Sequence, residues 1–194
     1  MNKIILDEGS VIKINVIEDS ICNIKNKNIE KLNISIEDNV TFILNEYSEI
    51  EKREYEINII QNNNSTFVYN HSYKVGNLYN LNVFIELNGD KSKNSINIHG
   101  INDSGMSNIK VDGQVKDNTF DNELYENIKI LNINEGKSTI LPNMYINTKN
   151  VIANHAASIT NIDENYLFYM NIKGINNDSA KRLIIDGFLN NEAK

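Results

Sequence analysis

The chain has very few of the residues that build covalent or metal-bound frameworks. Among its 194 residues there are one cysteine, Cys22, one proline and no tryptophan. A single thiol cannot form an intramolecular disulfide, and it cannot supply a multi-cysteine site for zinc or for a metal cluster. Any metal that this chain binds therefore needs ligands of another kind, or ligands from another subunit.

Positive charge and long apolar runs are also scarce. The chain has 26 acidic and 19 basic residues, a net charge of −7, so we expect neither nucleic acid nor an anionic membrane surface as a partner. No apolar run approaches the roughly 20 residues that a membrane span requires. Asp7 and Glu8 interrupt the first apolar residues before these could form a signal peptide. These absences predict a soluble, cytoplasmic protein.

The dominant pattern up to about residue 158 is a short alternation of apolar and polar residues. β-Branched residues at every second position are typical of half-buried strands, and such runs occur at residues 12–16, 32–36, 81–85, 96–98 and 128–130. Clusters rich in Asn, Asp and Gly separate the strands and predict turns; they lie at residues 37–39, 61–65, 88–90, 102–105 and 134–136. The pattern predicts an all-β main body.

Three architectures fit many short strands without intervening helices: a sandwich, a barrel and a β-solenoid. Similar segments recur, each made of a strand, a polar corner and a second strand, and this recurrence favours a solenoid whose coils turn at these corners. The repeat is too irregular to give a fixed period. The pattern alone therefore leaves solenoid and sandwich about equally supported.

After residue 158 the apolar spacing becomes helical. Asp163 is suited to cap a first helix, and Lys173 and Gly174 are suited to end it. Asn176 or Asn177 can cap a second helix, whose predicted apolar stripe is Ala180, Leu183 and Ile184, with Phe188 as a further candidate. Two helices this short need a surface to pack on, either the β body or a partner.

Five segments near the C-terminus follow one another in a recognisable order, at residues 141–146, 151–158, 162–170, 173–175 and 180–189. They resemble the C-terminal signature of the SufB/SufD family. That signature is a Pro-containing strand, a His-Gly-Ala-Thr or His-Glu-Ala-Thr segment, a Leu-Phe-Tyr helix, an Arg-Gly-Ile turn and a final Ala-Arg-Arg-Leu helix. Weaker similarity at residues 32–47 and 111–115 extends the resemblance over nearly the whole chain.

The resemblance implies a right-handed parallel β-helix, or solenoid, at residues 1–158 and a short two-helix tail at residues 159–194. It implies a scaffold or adaptor of SUF-type iron–sulfur cluster assembly, paired with itself or with a SufB/SufD-type protein. The helical tail would dock a SufC-like ABC ATPase. The longer N-terminal helical region of full-length members is not found in this sequence, so we expect a compact or divergent member.

The iron–sulfur cluster would be held transiently and shared with a partner subunit. We expect no enzymatic activity and no nucleotide bound by this chain. Neither a phosphate-cradling Gly-rich loop nor a nucleophile elbow nor a His-Glu-x-x-His motif occurs in it.

His155 is the candidate metal ligand. The resemblance places it where the family has a histidine near the interface between paired subunits, and a neutral imidazole is a good ligand for iron or zinc. Alternatively, it forms only a hydrogen bond across that interface. One branch of the family has carboxylates on both sides of this histidine, whereas here Asn154 and Ala156 flank it, and Ala153 replaces a cysteine common in the other branch. The chain is thus closer to the SufD type and holds at most half of a site, completed across an interface.

The other candidates have less support. Cys22 lies among apolar neighbours on a predicted strand, so we expect a buried thiol more than a ligand. His71 and His99 have no second ligand at metal spacing, so we expect surface or structural histidines. The aromatic residues of the first tail helix could bind the ATPase with one face while the other packs on the β body. The predicted partner-binding residues are Tyr166, Phe168, Tyr169 and Arg182.

Two other functions remain open. Secreted β-solenoids include polysaccharide-active enzymes, which need clustered carboxylates on one face, and no such cluster can be identified in this sequence. The chain could also be a degenerate member that binds no metal and only stabilises its partner.

Overall fold

The structure is a computed structural model that describes residues 1–6 and 9–190. Asp7 and Glu8, on which the argument against a signal peptide depends, lie outside the described residues. The same is true of the end of the predicted 159–194 tail, beyond residue 190.

The described chain forms a series of strands followed by two helices. The strands are β1 (Asn2–Ile4), β2 (Val11–Val16), β3 (Ser20–Lys25), β4 (Lys31–Ile36), β5 (Thr41–Gln61), β6 (Thr66–Leu87), β7 (Lys93–Asp103), β8 (Met106–Val115), β9 (Asn122–Ile133), β10 (Lys137–Ile146) and β11 (Val151–Asn161). The helices are α1 (Glu164–Ile172) and α2 (Asn177–Asn190).

The strands pair in parallel and build two ladders that share one interior. The first ladder runs β1–β3–β5–β6–β7–β9–β11 and the second runs β2–β4–β5–β6–β8–β10. Strands β5 and β6 belong to both ladders, because each is unusually long and has one half in each. Parallel pairing between successive coils is the definition of a β-solenoid. It confirms that prediction and excludes the sandwich.

The length of a coil increases along the solenoid. On the first ladder Asn2 pairs with Ser20 near the start of the chain, whereas Lys93 pairs with Glu123 near its end. The separation in sequence between paired residues is therefore much larger in the later coil. In the last coil Asn122 pairs with Val151, and their separation in sequence is almost as large. This change in coil length explains why similar segments recur in the sequence without a fixed period.

The corners use residues that tolerate left-handed backbone. Positive φ angles occur at Asn26, Asn39, Asn64, Asn118 and Asn134. The short polar side chain of Asn makes this conformation less costly than it is for other non-Gly residues. The corners at Asn39, Asn64 and Asn134 fall within the predicted turn clusters.

Asparagine also forms a ladder along the outer face. The amide of Asn45 donates to Asn23 at 2.9 Å, Asn70 donates to Asn45 at 2.9 Å, and Asn97 donates to Asn70 at 3.0 Å. Stacked amides of this kind are a recurrent way to join parallel strands in register. The abundance of Asn, about a fifth of the chain, therefore has a structural use in this fold.

The helical tail begins as the capping pattern predicts. The carboxylate of Asp163 accepts from the backbone N–H of Asn165 at 2.8 Å, and Gly174 follows α1 with a φ of 86°. Asn176 caps α2 by accepting from the backbone N–H of Ser179 at 2.9 Å. No helix in residues 1–6 and 9–190 is long and apolar enough to cross a membrane.

Helix α2 returns to the solenoid and packs near β7. Ala180 is fully buried, and the ring of Phe188 lies 5.7 Å from the ring of His99. Leu183, which belongs to the same predicted apolar stripe, is 55% exposed. The solenoid therefore covers only part of the stripe, and the sequence left both the β body and a partner as surfaces for it.

Candidate functional site

The last turn of the solenoid, formed by β10 and β11, has a free edge. Within the described residues β10 pairs only with β8, and β11 pairs only with β9. Residues paired in parallel register point to the same side of a sheet. The rows that continue the buried interior are therefore Ile140, Pro142, Met144 and Ile146 on β10, and Val151, Ala153, His155, Ala157 and Ile159 on β11. We call this last turn the open end.

Large apolar side chains are exposed at the open end. Leu141, Tyr145, Ile152 and Ile159 have between 45% and 57% of their surface accessible. Scattered exposed apolar residues are ordinary, but a group of them beside an unpaired strand edge is typical of a contact surface. The open end therefore combines an unpaired strand edge with exposed apolar side chains.

His155 belongs to the inward row of β11 and is exposed because no further described coil lies above it. Its strand neighbours on the same row are Ala153 and Ala157, whose methyl groups leave the imidazole accessible. In the register of the two strands His155 lies directly beside Glu126 of β9. The predicted metal ligand is thus at the open end, one strand above a carboxylate.

Glu126 is a buried carboxylate without a partner. It is 2% exposed, and neither of its carboxylate oxygens has a hydrogen-bond partner among the described residues. Burial, and to a smaller degree the charge of Asp112, raises the pKa of Glu126 to about 8. A Cβ placed at Gly113 would lie 3.0 Å from Oε1 of Glu126, so the glycine leaves the space into which this carboxylate extends.

Glu126 is not among the predicted site residues, although the sequence contains a signal for it. Leu124, Glu126, Ile128 and Ile130 form one face of an alternating strand, and all but the glutamate are apolar. A charged residue at an otherwise apolar position indicates either a buried partner or a ligand site. The pairing with His155, one whole coil later in the chain, could not be derived without the length of that coil.

The ligand types at the open end suit a metal cargo only in part. His155 offers nitrogen and Glu126 offers oxygen. Within the described residues no group of three or more His, Cys, Asp or Glu side chains could hold a metal ion. Cys22 is on β3, towards the other end of the same ladder. The chain brings no thiolate to the open end, and His155 as a metal ligand stays a prediction.

A second buried polar cluster lies deep in the interior and was also missed. Glu46 Oε1 accepts from Arg53 at 2.9 Å and from Ser48 at 3.3 Å, while Oε2 accepts from the hydroxyl of Tyr69 at 2.7 Å. His71 lies 3.7 Å from Oε2, the distance being measured from Nδ1. We call this group the Glu46 cluster. Both of its carboxylate oxygens already have partners, so it is not a free cation site.

The charges of the Glu46 cluster are balanced internally. Burial alone would raise the pKa of Glu46, but the charges of His71 and Arg53 and the hydrogen bonds outweigh it, so the pKa is lowered. Burial lowers the pKa of His71 more than the attraction of Glu46 raises it. His71 Nε2 is 2.9 Å from the hydroxyl of Tyr79. His71 is therefore a structural histidine. The sequence had left a surface and a structural histidine as the two alternatives.

Two other candidates are also buried. Cys22 has no exposed surface, as predicted, and burial raises the pKa of its thiol to about 11. His99 is 4% exposed and packs against Phe188 of α2. Neither is paired with His155 in the register of the strands, so the structure does not bring the three residues into one site.

The predicted partner-binding residues of the tail lie on the surface. Tyr166, Phe168 and Tyr169 are 66%, 66% and 60% exposed, and α1 has no buried residue. None of the three aromatic side chains is buried against the solenoid, so the expected packing of one face on the β body is not found. Arg182 is exposed on α2.

A cleft of about 540 Å³ lies between α2 and the corners of the solenoid. Its walls mix apolar side chains such as Ile50, Ile101 and Ile185 with the acidic residues Glu49, Glu51 and Asp103. Its lining includes neither His155 nor any other histidine or cysteine. It therefore has no role in the site at the open end.

The described residues form a parallel β-solenoid with an open end, an exposed histidine on its last strand and a helical tail with exposed aromatic residues. The family described as "SUF system FeS cluster assembly, SufBD core domain" matches residues 1–188, and the chain belongs to it. None of the curated proteins matches the chain. The predicted family is confirmed, and with it a role in SUF iron–sulfur cluster assembly.

Proposed function

We propose that this chain is a cytoplasmic scaffold that pairs through its open end and docks a SufC-like ABC ATPase through its helical tail. The pairing partner is a second copy or a SufB/SufD-type homologue. The nascent cluster is cargo shared between the two subunits. The single observation that carries the proposal is the open end, where an unpaired strand edge, exposed apolar residues and His155 occur together.

The edge itself favours pairing. Unpaired backbone N–H and C=O groups of an edge strand readily join another chain, and soluble proteins usually cover or charge such edges. Within β10 and β11 the only Asp, Glu, Lys or Arg is Lys137, at the start of β10. Small residues on β11, notably Ala153, Ala156 and Ala157, permit a close approach of a second backbone.

The tail favours a separate contact. Aromatic residues are enriched at the energetic centres of protein interfaces, and α1 presents Tyr166, Phe168 and Tyr169 on its surface. Arg182 adds a positive charge on the neighbouring helix. This surface is formed by a different part of the chain from the open end, so one molecule can hold both partners at once.

The test of pairing is co-purification of the chain with a homologue or with a differently tagged copy. Ile152→Lys, at a residue that is 57% exposed on β11, should abolish pairing because a charge is then buried in an apolar contact. Ile17→Lys is the matched control, since Ile17 is 69% exposed near the opposite end. Equal pairing by both variants would contradict the proposal.

The test of docking is capture of a SufC-like ATPase under anaerobic co-expression. The double variant Phe168→Ala and Tyr169→Ala should lose the ATPase and lower the cluster yield. Phe120→Ala, at a residue that is 45% exposed in the connection between β8 and β9, should keep both. Normal capture by the double variant would reject the tail as the docking surface.

In this proposal the chain has no enzymatic activity of its own, and its partner hydrolyses ATP. ATP hydrolysis by the purified chain alone would contradict it, as would activity on a polyuronate. The degenerate, non-metal-binding alternative is tested by His155→Ala. If that variant supports full cluster yield while the tail variants fail, the chain acts only as a structural partner.

A further inference from the structure

The cleft beside α2 lies where the chain turns from the first ladder of strands to the second. Its walls come from the middle of β5 and β6, from the ends of β7 and β9, and from α2, and its volume is about 540 Å³. The register between β5 and β6 shifts here, between Ile50 and Lys52, and such irregularities are frequent beside functional sites. None of the described lining residues belongs to α1, β10 or β11. The cleft is therefore separate from both surfaces of the proposed function.

The inner part of the cleft is apolar. Ile50, Val75 and Ile101 line it and are buried, whereas Ile133 of β9 and Ile185 of α2 are only half-buried. The two half-buried isoleucines leave apolar surface that the chain itself does not cover. An apolar side chain of another molecule would be stabilised by contact with them.

The rim of the cleft is acidic. Glu49, Glu51 and Asp103 line it and are exposed, and Lys74 is the one basic residue in the described lining. None of the three carboxylates forms a salt bridge with another described residue. A positively charged molecule therefore meets negative charges that the chain has not already neutralised.

Helix α2 adds to this negative charge. The hydroxyl of Tyr47 donates to Oε1 of Glu49 at 2.9 Å. Burial, that hydrogen bond and the charges of Glu49 and Asp186 raise the pKa of Tyr47 to about 12. Asp186 directly follows Ile185 in α2. The helical wall thus contributes a fourth carboxylate to the field that surrounds the apolar surface.

The arrangement of the carboxylates defines the kind of cation. Within the described residues no group of three or more His, Cys, Asp or Glu side chains could hold a metal ion, so the rim charges do not converge on one point. They suit separate positive charges on either side of an apolar group. A peptide with lysine or arginine beside an apolar residue has this form. An alkyl polyamine has the charges but no side chain to contact Ile133 and Ile185.

We propose that this cleft binds a basic segment of a partner protein. An apolar side chain of the segment contacts Ile133 and Ile185, and the lysine or arginine side chains on either side of it pair with Glu49, Glu51 and Asp103. The partner is neither the pairing subunit nor the ATPase, since the described lining of the cleft includes no residue of the open end or of α1. The inference therefore goes beyond the proposed function.

Fluorescence anisotropy with labelled synthetic peptides tests this chemistry on the full chain. The first peptide has one leucine between two pairs of lysines, the second has glutamates in place of the lysines, and the third has serine in place of the leucine. The first should bind saturably and lose affinity in about 1 M salt. The second should not bind, and the third should bind about 10-fold more weakly than the first.

Variants of the chain test the two parts of the cleft. Glu51→Lys should weaken binding of the first peptide about 10-fold, whereas Glu54→Lys, at an exposed residue of β5 outside the lining, should bind as the parent does. Ile185→Ser should weaken binding, and Leu183→Ser, on the same helix but outside the lining, should not. Circular dichroism checks that each variant is folded. If Ile185→Ser is not, the exposed Glu51→Lys still gives a decisive result.

Two results would overturn the proposal. One is equal binding of the first peptide by Glu51→Lys and Glu54→Lys. The other is equal affinity of the parent for the first peptide, the third peptide and spermidine, which would show only a general attraction of positive charge.

The proposed function is tested separately with the same variant. Glu51→Lys should still pair and still capture the SufC-like ATPase. Loss of either would assign the cleft to that known contact and reject a third partner. Normal peptide binding by a chain that neither pairs nor captures an ATPase would support the cleft and reject the scaffold function.

Discussion

Arg53 holds together parts of the chain that are far apart in sequence. Its guanidinium donates to Glu46 at 2.9 Å and to the backbone carbonyl of Ile29 at 2.9 and 3.1 Å. It also lies 3.8 Å from the centre of the Tyr55 ring. Because Ile29 belongs to the preceding coil, this one side chain ties two coils together inside the solenoid.

Removal of Arg53 should be severely destabilising. Arg53→Met leaves Glu46 buried and uncompensated, and breaking a buried ion pair in this way costs about 3–5 kcal/mol. Urea unfolding followed by circular dichroism measures the loss. Lys31→Met is the control, because the Lys31–Glu56 pair is exposed and such pairs contribute about 0–1 kcal/mol. Similar losses in the two variants would show that the buried pair has no special role.

Acid should destabilise the protein through the Glu46 cluster. The pKa of Glu46 is lowered from 4.5, so its contribution is present above that value and is lost as the pH falls through the folded pKa. The pKa of His71 is lowered from 6.5, so the unfolded state takes up a proton first as the pH falls below 6.5. Both effects have the same sign. The contribution of Glu46 and His71 is therefore constant above about pH 7 and declines below it, whereas Glu126, whose pKa is raised to about 8, has the opposite effect between about pH 8 and its ordinary pKa of 4.5.

The measurement is the urea midpoint at a series of pH values from mildly alkaline to mildly acidic. His71→Gln cannot titrate and should flatten the first part of the decline, near the ordinary pKa of histidine. A parent-like curve for His71→Gln would assign the acid sensitivity to other groups.

The burial of Cys22 and the position of His155 on a late strand could be predicted from the sequence, whereas for His71 the sequence left a surface and a structural role open. Glu46 and Glu126 could not. Alternation places both on inward faces, yet without the register a charged residue is more simply interpreted as solvent-exposed. The register depends on coil length, which increases along the chain and is set by corners whose geometry the sequence alone does not fix.

At the scale of elements, the start of each helix and the end of α1 followed from capping chemistry at Asp163, Asn176 and Gly174. Their packing did not follow. The apolar stripe of α2 left open whether the solenoid or a partner covers it, and Leu183 in this stripe is 55% exposed. The hydrogen bonds that cap a helix depend on a few adjacent residues. The surface on which α2 packs includes β7, which lies much earlier in the chain.

The stacked asparagine side chains connect successive coils along the first ladder of strands. Asn70→Ala should remove two amide contacts, one to Asn45 and one from Asn97. Asn23→Ala, at the end of the series, should remove one. At about 0.5–1.5 kcal/mol for each hydrogen bond, the interior variant should lose about twice as much stability as the terminal variant. Thermal melting of both variants checks this ratio, and equal losses would mean that the amides do not act as a series.

At the scale of the whole molecule, each coil contacts only its neighbours, so the stability of a coil depends on the coils directly above and below it. The two end coils of the described chain have one neighbour each. The coil at the open end is exposed along its free edge, whereas the central strands β5 and β6 are paired on both sides. The terminal coil should therefore be the part whose backbone opens most readily.

Hydrogen exchange should detect the pairing of the open end directly. Amides of β10 and β11 should exchange quickly in the isolated chain and slow markedly when the partner is added, because their free edge becomes bonded. Amides of β4 and of the first half of β5 should change little. Mass spectrometry of exchanged peptides provides the measurement. Protection that appears only in α1 and α2 would place the subunit contact on the tail instead.

The increase in coil length makes the two ends of the solenoid unequal: Asn2 pairs with Ser20 at one end, and Asn122 pairs with Val151, many more residues away in sequence, at the other. Two ends with different numbers of residues per coil do not present the same pattern of strand edges to each other. In the proposed pairing, contact between two open ends would therefore close the assembly after two subunits and leave no matching end for a growing fibre. Sedimentation at increasing protein concentration should accordingly reach a plateau at the mass of a pair, and a continuous rise would contradict this conclusion.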